Sequence, residues 1–232
     1  MALFQILDQV ETPLGELWLR KRELLGRPGT IVTEVSLEGE LLMSSLHTDS
    51  ERALAREALA LHPGPGPLRV LVGGLGLGYT AAAALEDPRV SEVEVLELLE
   101  PPLRWMREGL VPLAEQLARE PRLVLTQGDA FATLLAAPQG APRDLILIDV
   151  DHSPEEPLHP SHLALYRADG LRRVRAHLAP GGVFAMWSTQ EDPEFLRALG
   201  EVFPRVERRE VRWWNELIDL DVVDLLFLGV RD

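Results

Sequence analysis

Carboxylates follow three consecutive apolar runs of this chain and have the spacing of a ligand-binding cleft. Glu97 ends one run, the pair Gly128 and Asp129 follows the next, and Asp149 follows the run after that. Because parallel strands of an open α/β sheet bring their carboxyl ends to one edge, we expect these side chains to face a single cleft. Carboxylates there can accept hydrogen bonds from hydroxyl and amine groups, or take a proton from an amine.

A glycine-rich turn precedes these carboxylates and indicates a nucleoside-type ligand. Four glycines follow the strand predicted over residues 69–72: Gly73, Gly74, Gly76 and Gly78. Glycine permits a positive φ and a close approach of ligand to backbone, and the helix predicted over residues 80–85 would aim its first amides at polar or anionic groups. Glu97 follows Gly78 by 19 residues, close to the spacing of about 20 at which an acidic residue binds ribose hydroxyls.

The loop after the fourth strand of this series is the candidate site of proton transfer. Asp149 lies at the predicted rim of the cleft, where burial and neighbouring carboxylates raise a carboxyl pKa. Asp151 lies two positions further on. We predict that this loop holds an amine and that one carboxylate takes its proton. Asp129, by contrast, also suits the N-cap of a helix predicted to begin at Ala130, so for that residue a structural role competes with a ligand contact.

The elements that position these groups alternate between strand and helix. From residue 68 onward the pattern predicts a doubly wound, Rossmann-like α/β sheet with an antiparallel pair of strands at one edge. Long helices are predicted over residues 102–117 and 160–177. Trp187, at the end of a predicted strand, would line the cleft or belong to the core, and Trp213 is assigned to the core or an interface.

The first part of the chain has a different pattern. Four short segments with alternating apolar residues predict two β-hairpins, and a helix follows over residues 50–61 with Ser50 as its N-cap. We place a small N-terminal β-hairpin domain at residues 1–49 and a nucleoside-binding catalytic domain at residues 50–232. Such a small sheet cannot stand alone, so we expect it to pack on the main domain or a partner subunit, and we expect a homodimer.

The composition of the 232 residues narrows the chemistry further. The absence of cysteine excludes disulfides, thiolate metal sites and a cysteine nucleophile. A net charge of −14 argues against a nucleic-acid partner and is compatible with a cationic small molecule. His159 and His162 flank Pro160, which is poor ligand geometry, so we expect no metal. With no apolar run long enough to span a membrane and no leader pattern at the start, we expect a cytoplasmic protein without a membrane partner.

The chain resembles the S-adenosylmethionine-dependent methyltransferase superfamily, and more narrowly the spermidine synthase-like polyamine aminopropyltransferases, in the stretches VLVGGLGLGYT, VEVLELLEP, LVLTQGDAF and DLILIDVDHSP. The resemblance implies that the glycine turn passes along the nucleoside, that Glu97 binds the ribose and that Asp129 meets the adenine amine. It implies that Asp149 faces the sulfonium and the incoming amine. The implied reaction transfers an aminopropyl group from decarboxylated S-adenosylmethionine to putrescine or another polyamine.

Several positions depart from the pattern of that family. Gly76 stands where spermidine synthases carry an aspartate, His152 where they carry a second aspartate after the fourth strand, and Ala55 and Arg56 where they carry Tyr-His. These changes remove groups that would hold amines. Two other hypotheses therefore stay open: a methyltransferase that uses intact S-adenosylmethionine on a small acceptor, although Val72 is not acidic as in many such enzymes, and a non-catalytic nucleoside-binding relative.

Overall fold

The computed structural model describes residues 3–150, 152–155 and 157–232. Asp151, which the sequence nominates as a catalytic residue, lies outside these ranges. The smaller of two sheets contains β1 (Phe4–Thr12), β2 (Gly15–Glu23), β3 (Ile31–Leu37) and β4 (Glu40–Ser44). The larger sheet contains β5 (Leu68–Gly73), β6 (Val90–Glu97), β7 (Leu123–Gln127), β8 (Arg143–Ile148), β9 (Leu178–Ser188), β10 (Arg205–Asn215) and β11 (Leu220–Val230).

Among the residues that the structure describes, seven α-helices connect and cover these strands. They are α1 (Asp49–Leu61), α2 (Tyr79–Leu85), α3 (Glu100–Arg107), α4 (Ala114–Ala118), α5 (Ala130–Leu135), α6 (Ala168–His177) and α7 (Pro193–Val202), and a 3-10 helix spans Pro160–Ala164. None of the helices in these described ranges is long and apolar enough to cross a bilayer.

The larger sheet has the strand order β7-β6-β5-β8-β9-β11-β10. The first five strands are parallel, and β11 runs antiparallel to both β9 and β10. The predicted doubly wound sheet with an antiparallel edge is thus confirmed. Strand order reverses direction around β5, between β6 and β8, which opens a crevice at the carboxyl ends of these strands.

The two faces of this sheet bury different sets of side chains. Leu145, Leu147, Val183, Ala185 and Leu226 belong to one buried cluster, which α1 and α2 cover. The intervening residues of the same strands belong to a second cluster, covered by α5, α6 and α7. Because successive strand residues point to opposite faces, this assignment fixes the face on which each nearby polar side chain lies.

The small sheet is antiparallel, with the order β1-β2-β3-β4, so the two predicted hairpins join into one sheet. Its buried Leu17, Leu19 and Val35 belong to the cluster beneath α1 and α2. Asp8 on β1 also accepts hydrogen bonds from the Trp105 indole and the Arg104 guanidinium, each over 2.6 Å. The small sheet therefore packs on the main domain of its own chain, as the first of the two alternatives anticipated.

Three local predictions are wrong. Residues 102–117 form two helices rather than one, separated by a turn in which Gly109 has a φ of 78°. Residues 160–177 form the 3-10 helix and then α6, with an extended Arg167 between them. Ser50 lies inside α1, because the helix begins one residue earlier and Thr48 precedes it. Apolar spacing does not reveal such interruptions, which depend on backbone dihedrals and tertiary partners.

Candidate functional site

The glycine turn between β5 and α2 forms one wall of the crevice. Gly74, Gly76 and Gly78 have φ values of 93°, 50° and 91°, in the region that favours glycine. A Cβ at Gly74 would collide with the backbone oxygen of Asp149, because the turn passes directly beneath the chain that leaves β8. Gly74 is therefore required for two reasons, namely its positive φ and the close contact of its backbone with the backbone of Asp149.

Glu97, at the end of β6, is tied to this turn. Its side chain is 8% exposed, and its carboxylate accepts hydrogen bonds from the backbone amides of Leu75 over 2.9 Å and Leu99 over 2.8 Å. Burial raises the pKa of Glu97, and these amides oppose the rise. The carboxylate therefore holds the glycine turn in place. The contact with ribose hydroxyls that the sequence suggests stays a prediction, although Glu97 does line the cavity.

Asp129 serves as the N-cap of α5. Its Oδ1 accepts a hydrogen bond from the backbone amide of Ala132 over 2.9 Å. This is the structural role that competed with a ligand contact in the sequence. Asp129 also lines the cavity beside Phe131, so both roles are compatible, and the contact with an adenine amine stays a prediction.

Asp149 immediately follows β8 and lies at the centre of the site. Its Oδ2 accepts a hydrogen bond from the Thr80 hydroxyl over 2.5 Å, and its amide donates to the carbonyl of Gly73 over 2.9 Å. Burial raises the pKa of Asp149 to about 6, against the Thr80 hydroxyl and the Trp187 indole, which both lower it. The Trp187 Nε1 is buried and forms no hydrogen bond of good geometry with any described group.

Glu51, in the first turn of α1, is a site residue that the sequence analysis missed. Burial raises its pKa to about 8, with further contributions from the negative charges of Asp149, Asp224 and Asp49. The signal was present in the sequence, since Glu51 shares helical spacing with the buried Leu54, Ala55 and Ala58. A carboxylate on the apolar face of a helix indicates either an ion pair or a site.

Asp224, on β11, was also missed. It is 7% exposed, and its Oδ2 accepts hydrogen bonds from the Ser50 hydroxyl over 2.5 Å and the Trp213 indole over 2.8 Å. An aspartate within the apolar run Val222-Val223-Asp224-Leu225-Leu226 was the available signal. Trp213 lines the cavity, so its assignment to the core or an interface left out this contact with the site.

These residues surround one cavity of about 500 Å³, within the size range of small-molecule sites. Its wall is largely apolar, but it carries several carboxylates: Glu34, Asp49, Glu51, Glu97, Asp129, Asp149 and Asp224. Glu34 pairs with Arg20 and Arg22, and Asp49 is exposed. Within the part of the chain that the structure describes, none of the carboxylates other than Glu34 forms an ion pair with a lysine, arginine or histidine. Buried carboxylates without a cation favour a positively charged ligand. The same described ranges contain no side-chain cluster arranged to hold a metal ion.

The positions that depart from the family pattern also have structural explanations. Met43, from β4, occupies the space into which a side chain at Gly76 would extend. Ala55, on α1, is fully buried, and Arg56 forms an exposed ion pair with Glu86 over 2.9 Å. His152 lines the cavity with its ring 6.3 Å from that of Trp187.

Comparisons with known proteins support the resemblance found in the sequence. No protein-family model matches the chain. Putrescine N-methyltransferase 4 of Nicotiana tabacum is 29% identical over 119 residues, which cover 51% of this chain and 29% of that protein. Polyamine aminopropyltransferase 2 of Streptomyces coelicolor is 32% identical over 165 residues, which cover 69% of this chain and 27% of that protein. The chain thus spans less than a third of the length of these curated relatives.

Solved structures agree on the fold. A spermidine synthase in complex with the transition-state analogue AdoDATO superposes with a TM-score of 0.75 at 17% identity, covering 98% of this chain and 74% of that one. The spermidine synthase of Thermotoga maritima gives a TM-score of 0.73 at 17% identity, covering 98% and 73%. The chain therefore has the spermidine synthase fold, with its mostly parallel sheet and its separate N-terminal sheet, as the sequence predicted.

Proposed function

We propose that this chain is a spermidine synthase-like transferase, which moves an aminopropyl group from decarboxylated S-adenosylmethionine to a polyamine. The observation that carries the proposal is the cavity at the carboxyl ends of β5, β6 and β8. In it a glycine turn adjoins several buried carboxylates that have no cationic partner in the described ranges. One part of this cavity suits a nucleoside and the other suits an amine.

The residues of the first part fit a nucleoside donor. Gly74 and Gly76 leave the turn without side chains on the cavity side, and Glu97 and Asp129 supply hydrogen-bond acceptors at the ends of β6 and β7. When bound, such a donor supplies an electrophilic carbon next to a sulfonium. The residues of the chain then have to orient the two reactants and exclude water, because placing reacting atoms correctly accounts for much of the barrier lowering.

Asp149 is the residue that we propose as proton acceptor. With a pKa of about 6 it is mostly ionised at neutral pH, and the Thr80 hydroxyl fixes one of its oxygens. An amine must lose a proton to attack, and a carboxylate within hydrogen-bond reach can take it. Glu51, with a pKa of about 8, is mostly protonated at neutral pH before an acceptor binds. A nearby ammonium group would favour its ionised form, so acceptor binding would release a proton.

Methyl transfer to an amine is a second candidate function. Met43 fills the space beside Gly76, where spermidine synthases carry an aspartate, and a thioether cannot hold the amine of an aminopropyl group as a carboxylate does. The similarity to putrescine N-methyltransferases supports the same alternative. The two candidates share the amine acceptor and differ in the group transferred.

Incubation with both donors tests these candidates directly. The purified chain is mixed with decarboxylated or intact S-adenosylmethionine and a panel of amines, and products are identified by mass. We expect the mass gain of an aminopropyl group with the decarboxylated donor. Calorimetry with 5′-methylthioadenosine is the accompanying measurement, for which we expect binding in the cavity. The proposal would be contradicted if no product formed with either donor, or if the chain bound no nucleoside.

We further propose that the protein is a cytoplasmic homodimer that does not bind nucleic acid. The charge of −14 supports the last point. Exposed apolar side chains on edge strand β1 and at the tip of the β10–β11 hairpin, including Phe4, Ile6, Leu217 and Ile218, support association. Sedimentation analysis should give twice the chain mass, and a monomer at micromolar concentration would contradict it.

A further inference from the structure

Acidic and indole side chains alternate along a diagonal row that crosses four neighbouring strands. Asp149 follows β8, Trp187 lies on β9, Asp224 on β11 and Trp213 on β10. Each lies two positions from a residue packed in the cluster beneath α1 and α2, namely Leu147, Ala185, Leu226 and Val211. Because side chains alternate between faces, all four members of the row project from the same face of the sheet. All four also line the cavity.

The two carboxylates of this row are held by different neighbours. Asp149 is fixed by Thr80 on α2, whereas Asp224 is fixed by Ser50 on α1 and by Trp213. Strand β9 separates β8 from β11, which puts the two backbones about 10 Å apart across the sheet at normal strand spacing. Asp224 is displaced by two further residues along β11, because Leu226 is the residue that pairs with Trp187. Since each carboxylate is held on its own side, one ammonium group does not satisfy both.

The surroundings of Asp224 leave its charge uncompensated. Its hydrogen-bond donors, a hydroxyl and an indole, are neutral, and no lysine, arginine or histidine among the described residues forms an ion pair with it. Glu51 lies close enough to sense the negative charges of both Asp149 and Asp224. The region between the two aspartates is therefore anionic at both ends, and Trp187 lies between them.

We propose that Asp224 determines acceptor specificity by binding the second ammonium group of a linear diamine whose reacting amine lies at Asp149. The methylene chain of the acceptor packs on Trp187, because the face of an indole ring attracts both aliphatic groups and ammonium groups. A monoamine leaves Asp224 buried and unpaired, which disfavours its binding. This inference rests on the proposed function, which assigns the reacting amine to Asp149. The preference for a diamine can be measured by binding alone, without turnover.

The test is calorimetric titration of the full chain with 1,4-diaminobutane and with n-butylamine. We expect the wild-type chain to prefer the diamine, and Asp224→Asn to weaken diamine binding about 10- to 100-fold without weakening butylamine binding. Asp221→Asn is the matched control, because it removes the same charge from an exposed position of the same strand. Thermal unfolding and 5′-methylthioadenosine affinity show whether each variant is folded.

A second variant keeps the charge and moves it. Asp224→Glu brings the carboxylate further into the cavity, so the preferred diamine should shorten from 1,4-diaminobutane to 1,3-diaminopropane. An unchanged diamine preference in Asp224→Asn, equal losses for both amines, or an unchanged length preference in Asp224→Glu would each overturn the assignment. Lack of turnover by a wild-type chain that still prefers diamines would instead reject the proposed reaction and leave the role of Asp224 intact.

Discussion

The hydroxyl of Thr80 helps to set the pH at which Asp149 ionises, and its removal tests the proposed proton acceptor. Thr80 Oγ1 donates to Asp149 Oδ2 over 2.5 Å, and this bond opposes the burial that raises the Asp149 pKa to about 6. A hydrogen bond to a charged group contributes about 1.5 to 3 kcal/mol, and about 1.4 kcal/mol corresponds to one pKa unit. Thr80→Val should therefore raise the pKa of Asp149 further, by about 1 to 2.

The assay is kcat/KM as a function of pH, with Thr80→Ser as the control that keeps the hydroxyl. The proposed reaction needs ionised Asp149, so activity should rise with pH through the pKa of this group. The acid limb should lie near pH 6 in the wild-type protein and move upward by about 1 to 2 pH units in Thr80→Val. Activity at pH 7 then falls about 2- to 10-fold and recovers at higher pH. An unmoved acid limb, or one that moves to lower pH, would refute the role of Asp149 as proton acceptor.

Three further changes test the rest of the site. Asp149→Asn should lower turnover by at least about 100-fold with 5′-methylthioadenosine affinity nearly intact, and unchanged turnover would remove Asp149 from the mechanism. Glu51 has a pKa raised to about 8, so the folded state holds a proton that the unfolded state has lost, and stability falls as pH rises from about 4.5 to 8. Glu51→Gln should therefore gain about 5 °C in Tm at pH 8 and little at pH 5, and an equal gain at both would contradict this. Gly74→Ala should lower the free energy of unfolding by about 1 to 3 kcal/mol more than Gly140→Ala does, as measured in denaturant titrations. Gly140 is the control because it has a similar positive φ but open space around it. Equal losses of unfolding free energy in the two variants would contradict the collision with Asp149.

The sheet could be predicted from sequence because its strands have a strong local signal. The run Leu145-Ile146-Leu147-Ile148 is apolar on both faces, which specifies a central parallel strand. The three carboxylates at strand ends were found for the same reason, since the end of such a run marks one edge of the sheet. The breaks at Gly109 and Arg167 were missed because apolar spacing continues across them.

Glu51 and Asp224 were missed for a different reason. Neither lies at the carboxyl end of a parallel strand. Glu51 reaches the cavity from α1, which packs across β8, β9, β11 and β10, and Asp224 reaches it from the antiparallel strand β11. The contact between Ser50 and Asp224 joins residues 174 positions apart in the chain. A local pattern can show that a carboxylate interrupts an apolar face, but it cannot show that two such interruptions meet.

The positions of these two carboxylates bear on how the chain could bind amines despite its departures from the family pattern. Gly76 and Ala55 lack the polar groups that spermidine synthases carry there, and Met43 and tight helix packing fill the space instead. Carboxyl groups have not been lost from the cavity, however, because Glu51 and Asp224 supply them from α1 and β11. Burial raises the pKa of Glu51 to about 8, so this group takes up negative charge when an ammonium group binds beside it. Burying uncompensated carboxylates lowers stability unless a ligand offsets the cost. Glu51 and Asp224 line the same cavity as Asp149. A cationic acceptor therefore explains these two buried groups better than a requirement of the fold does.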